Sequence, residues 1–100
     1  MTDYRDVVDA DICLAILRLL NEDPGGSHND SVLEKCLRAM GHDRPRRVVR
    51  NHVSFLEQKA LVTIEELESV WVVAITDRGA EVAGGYTEVE GVAKPSRRRT

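Results

Sequence analysis

The stretch "DICLAILRLL", Asp11 to Leu20, carries only two charges, Asp11 and Arg18, among eight apolar residues. It continues a pattern in which Tyr4, Val8, Ile12, Ala15, Ile16 and Leu19 recur at spacings of three and four, which predicts a helix over Asp3 to Glu22. A helix that is apolar on most of its faces must be covered from more than one side. It is therefore either the central helix of a core or the contact between two copies. A chain of 100 residues makes one domain. At that size folding buries about two-thirds of the unfolded surface, so a partner subunit would add to stability.

The rest of the chain arranges itself around that helix. "NEDPGGSHND" is a loop signal through Pro24, Gly25 and Gly26. Ser31 followed by Glu34 fits a capping box and Gly41 fits the position past a helix end, so Val32 to Met40 reads as a second helix. "GHDR" is a short turn, with Asp43 as the expected cap and Pro45 in the first turn of a third helix that runs to about Lys59. "LVTIEEL" and "VWVVAIT" are β-branched, apolar runs that form a hairpin. Neither Glu68 nor Ser69 favours the positive φ of a two-residue turn, so the expected loop extends to Glu66 and Leu67. "DRGAEVAGG" forms a short helix ending at Gly84 and Gly85, and "YTEVEGVAKPSRRRT" reads as a flexible tail.

Two helices joined by a short turn are a helix-turn-helix, and a following hairpin makes it winged. "KALVTIEEL" and "VVAITDRGAEVA", with Thr76, Asp77, Arg78 and Gly79 closing the second strand, resemble the wing segment of winged-helix regulators of the MarR, ArsR and PadR kind. The size and layout also resemble small regulator-like proteins of Mu-like prophages. The expected fold class is α+β: a winged helix-turn-helix with a three-helix core, a β-hairpin wing and a short C-terminal helix. Residues 1–85 form the domain and 86–100 a C-terminal extension with a basic tail.

Within the third helix the charges are sorted. Val49, Val53, Leu56 and Ala60 share a narrow stripe flanked by Val48, His52 and Phe55, while Arg47, Arg50, Asn51, Ser54 and Gln58 occupy the opposite side. Arginine pairs bidentately with guanine or phosphate, and asparagine or glutamine with adenine. Arg44 and Arg46 sit near the helix start, where phosphates are the expected contact. Residues 38–59 hold six Arg or Lys against two acids, whereas 60–90 hold one against seven, so the field is oriented although the net charge is only -3. The plain alternative is a solvated face whose arginines pair loosely with Asp43 and Glu57.

The expected function is thus DNA binding by a transcriptional regulator, as a homodimer that sets two such helices about 34 Å apart on double-stranded DNA. The wing runs against it, since Glu65, Glu66 and Glu68 would meet phosphates with like charge. An acidic wing suits a basic protein partner, and the second reading is an interaction module that does not bind DNA. Lys94 and Arg97 to Arg99 could follow phosphates as a basic arm or stay solvated.

Other classes find little support. His28, His42 and His52 have no carboxylate or serine at a defensible catalytic spacing, and His52 reads as structural. Cys13 and Cys36 make neither a disulfide framework nor a zinc pattern, and read as two free thiols of a reducing compartment. No enzyme, metal or cofactor is expected. The apolar runs fall short of the ~18 residues of a membrane span, and the acidic start is unlike a secretory signal, so cytoplasmic is the expected location.

Overall fold

The computed structural model describes residues 3–95. Its elements in order are α1 (Tyr4–Glu22), β1 (Ser27–Asn29), α2 (Asp30–Ala39), α3 (Arg46–Gln58), β2 (Val62–Leu67), β3 (Val70–Ile75) and α4 (Asp77–Ala83). The three strands form an antiparallel sheet in the order β1-β3-β2. The chain is an α+β domain in which the helices stand on one face of this sheet.

The double-sided coverage that "DICLAILRLL" demands is met within the chain. Ile12, Cys13, Leu14, Ala15, Ile16, Leu17 and Leu20 are all buried, and α1 packs on α2, α3, α4 and the sheet. The apolar stretch is therefore a central core helix. Its exposed large apolar residues, Tyr4 and Val7, lie in its first turns. Around it close Leu33 and Leu37 of α2, Val49, Val53 and Leu56 of α3, and Leu61, Val62 and Val73 of the sheet region.

Several local expectations are corrected. The loop before α2 contains β1, whose Ser27, His28 and Asn29 pair with Ala74, Val73 and Val72. Asn29, not Ser31, caps α2: its Oδ1 accepts the Val32 N–H at 2.9 Å, so the helix begins two residues early. Glu34 turns to Arg38 and Arg46 instead of closing a capping box. Asp43 caps nothing and pairs with Arg38, while Pro45 holds the cap position of α3 with no side-chain hydrogen bond. The hairpin turn consists of Glu68 and Ser69 alone, because Leu67 and Val70 still pair and Glu68 accepts a φ of 39°. Nor does the core stop at residue 85. Val89 and Val92 are each only 8% exposed, and the Ala93 N–H donates to the Ala10 carbonyl at 3.0 Å, which lays this segment along α1. Arg97 to Arg99 lie outside the described residues.

Two junctions position α3 and the hairpin. At the end of α3 the Ala60 N–H reaches the Glu57 carbonyl at 2.9 Å and the Leu61 N–H reaches Leu56 at 3.0 Å, a Schellman ending with Ala60 at φ 63°. At the start of α4, Thr76 Oγ1 accepts the Gly79 N–H at 3.0 Å and donates to the Ala60 carbonyl at 2.9 Å. This close approach requires glycine, since a Cβ on Gly79 would lie 2.1 Å from the Leu61 carbonyl oxygen. Thr76 and Gly79 thus tie α4 to the α3–β2 junction.

Ala60→Gly is expected to raise stability by up to about 1 kcal/mol, because the left-handed conformation costs L-residues roughly that much. Gly79→Ala is expected to lower it by about 1–3 kcal/mol through overpacking. Urea denaturation of both variants beside the wild type checks the pair of opposite signs.

A candidate nucleic-acid interface

The side of α3 that carries Val49, Val53 and Leu56 is locked into the core, which fixes what the opposite side shows to solvent. Arg47, Asn51, Ser54 and Gln58 follow one another at spacings of four, three and four, and so form one stripe. Arg47, Asn51 and Gln58 are exposed and Ser54 is half-buried. Among the described residues Arg47 makes no ion pair. Arg44, just before the helix, donates to the Asp43 carbonyl at 3.4 Å. With no side chain capping α3, the Arg46 and Arg47 N–H groups at its start stay unclaimed by any side chain among the described residues.

The two remaining arginines are engaged within the chain. Arg46 Nε lies 3.5 Å from Glu34 Oε1, and the same carboxylate meets Arg38 at 3.3 Å, so α2 and α3 share an ion-pair cluster. Arg50 leaves the outward stripe altogether. Its Nε donates to Oδ2 of Asp30, a fully buried carboxylate at the start of α2, and an Nη donates to the Ser69 carbonyl at 3.1 Å. Its guanidinium lies 4.7 Å from the Trp71 ring centroid. Asp30 Oδ1 in turn accepts the Trp71 backbone N–H at 3.1 Å. Burial by itself would push the Asp30 carboxyl up. The Arg50 and Trp71 hydrogen bonds, with the nearby Arg50 and Arg46 charges, outweigh it and hold the group below its ordinary value.

The sequence reading missed Asp30, Ser69 and Trp71 as parts of this arrangement. Asp30 falls in the expected loop, ahead of a helix that the sequence starts at Val32. Its partners stand 20 and 41 residues away, and no periodicity reports such a pairing. The hairpin is as acidic as its sequence, with Glu65, Glu66, Leu67 and Glu68 all exposed.

A second polar seam joins α1 to α3 and to the turn before it. His42 Nε2 lies 3.1 Å from Asp11 Oδ2, and His52 Nε2 lies 3.8 Å from Asp9 Oδ1 with its Nδ1 3.8 Å from Cys13 Sγ. Together with Phe55 and Gly91, these Asp9, Cys13 and His52 side chains line a cavity of about 260 Å³. Cysteine, histidine and carboxylate in line suggest a nucleophile, but the local chemistry opposes it. Burial first and the Asp9 charge second push the Cys13 thiol up to about 12, so it stays protonated at neutral pH. Burial also lowers the His52 pKa, Arg44 and His42 adding to this against the pull of Asp9. His52 is accordingly a neutral imidazole packed between helices. No group of three or more His, Cys, Asp or Glu side chains among the described residues could hold a metal ion. No described helix is long and apolar enough to cross a membrane.

Fold and charge together define a small α+β domain with one cationic helix face beside an acidic hairpin. The chain belongs to the family of gp26 of Escherichia phage Mu, an uncharacterized protein to which it is 42% identical over 91 residues, covering 91% of this chain and 94% of gp26. It is also 40% identical over 76 residues to an uncharacterized protein of Haemophilus influenzae, covering 75% of this chain and 74% of that one. It is thus a phage-related protein. No family model matches the chain, and no solved structure matches it.

The depressed Asp30 pKa fixes the sign of a pH effect. Its contribution to stability is complete above the ordinary aspartate value of about 4 and is lost as pH falls through the lower folded value. Urea midpoints measured from pH 6 down to pH 2 should therefore fall more steeply for the wild type than for Asp30→Asn, which keeps an acceptor for Trp71 but has no proton to gain.

Proposed function

We propose that this protein is a winged-helix DNA-binding protein, a transcriptional regulator that meets double-stranded DNA through α3, with β2 and β3 as its wing. One observation carries the reading: the outward stripe of Arg47, Asn51, Ser54 and Gln58, on a helix whose other side is anchored in the core. A rigidly mounted helix with cationic and amide groups outward suits a major groove, where arginine reads guanine and asparagine or glutamine reads adenine. Arg44 and the free N–H groups at the start of α3 suit phosphate. Arg46 is the weaker phosphate contact of the two, since Glu34 already neutralises part of its charge. The protein acts as a homodimer, for which Tyr4 and Val7 of α1 offer exposed apolar surface.

A second reading is favoured by the hairpin. Exposed Glu65, Glu66 and Glu68 around Leu67 repel phosphates and suit a basic protein partner. On that reading the domain is an interaction module and α3 is a solvated face.

Fluorescence anisotropy of a labelled random duplex, titrated at several salt concentrations, separates the two. Binding should weaken with salt, and Arg47→Ala should make the log–log slope shallower by about 0.9, the value for one lost phosphate contact on B-DNA, if Arg47 reaches the backbone. If Arg47 instead reads a base, the variant leaves the slope on random duplex as it is and costs discrimination across a panel of duplexes of differing sequence. Asn51→Ala should leave the slope as it is and cost discrimination between sites. No binding at low salt favours the second reading.

A further inference from the structure

Arg50 has the residue type and helical position of a DNA contact, yet its donors point into the protein. Four parts of the chain converge on it: Asp30 from the start of α2, Ser69 from the hairpin turn, Trp71 from β3, and α3 itself. The geometry uses what is particular to arginine. The Nε edge meets the carboxylate, an Nη meets the carbonyl, and the guanidinium carbon lies over the indole ring. A lysine could satisfy Asp30 but could not hold all three at once.

We infer that Arg50 is a positioning residue that clamps the acidic hairpin to α3 and makes no contact with DNA. This rests on the reading of α3 as the DNA-contacting helix. Glu65, Glu66 and Glu68 ride on the same hairpin, so the clamp decides where three carboxylates stand relative to whatever α3 binds. Released, the hairpin samples positions that bring those charges toward phosphate. Arg50 therefore supports binding by restraining a repulsive element, which a simple cation count of the helix does not reveal.

The test compares Arg50→Lys and Arg50→Ala with Arg18→Lys. Trp71 is the single tryptophan, so its emission and acrylamide quenching report the clamp directly. In Arg50→Lys the emission should shift to the red, quenching should rise, and the Trp71 amide should exchange faster, while core amides of Ile16 and Val53 keep their protection. On duplex DNA Arg50→Lys should bind several-fold more weakly, whereas Arg18→Lys, on an exposed position of α1 away from α3, should stay near wild type. Arg50→Ala should weaken binding without making the salt slope shallower. A Trp71 signal unchanged in Arg50→Lys overturns the clamp, and wild-type affinity in that variant overturns its role in binding. A slope made shallower by about 0.9 in Arg50→Ala identifies a phosphate contact and overturns the proposal as well. If the wild type binds no duplex, the reading of α3 fails, and the Trp71 measurements alone decide whether Arg50 holds the hairpin.

Discussion

The burial of α1 on several sides is the constraint from which the rest of the structure follows. Ile12, Ile16, Leu17 and Leu20 are wholly removed from water, which a single neighbouring element could not achieve. The helices α2, α3 and α4 and the sheet each take a share of that surface. Because α3 gives Val49, Val53 and Leu56 to this packing, its rotation about its own axis is set. The outward stripe is thus a by-product of where the valines and leucine fall, and its direction is as rigid as the core behind it.

On this apolar frame sits one buried charge. Asp30 is the only buried polar or charged side chain among the described residues, and a carboxylate in such a place is tolerated only with full compensation. Arg50 and the Trp71 N–H supply it, and in doing so they join helix, helix and hairpin at a point that apolar packing alone would leave free to slide. Hydrophobic burial has no direction of its own, whereas a carboxylate with one donor per oxygen fixes a direction at each. This polar junction therefore sets the hairpin's place more sharply than area alone could do.

How much of this was legible depended on how far apart the partners lie in the chain. The extents of α1, α3 and α4 and the hairpin's existence follow from local periodicity and break signals, and the side chains of Asp3 and Thr76 cap α1 and α4. The missed element, β1, is three residues of "SHN" with no β-branched side chain, and it exists because β3 offers a free edge beside it. The start of α2 was misplaced because two eligible caps, Asn29 and Ser31, stand two residues apart. At the site, the apolar and polar sides of α3 were readable from spacing. Which arginines were free was not. Arg47 and Arg50 look alike on a helical wheel, and only the tertiary arrival of Asp30 and Ser69 tells them apart.

The segment that carries Val89 and Val92 bears on how the chain is made. It lies along α1, with Ala93 bonded to Ala10, so nearly the whole sequence separates two surfaces that need each other. During synthesis α1 emerges ahead of this segment, with an apolar girth that the segment helps to cover. Until those residues have left the ribosome the nascent helix remains incompletely wrapped, and its exposed flank is open to chaperones or to other nascent copies. A product that stops short of Val89 and Val92 therefore lacks the cover these valines give to the core.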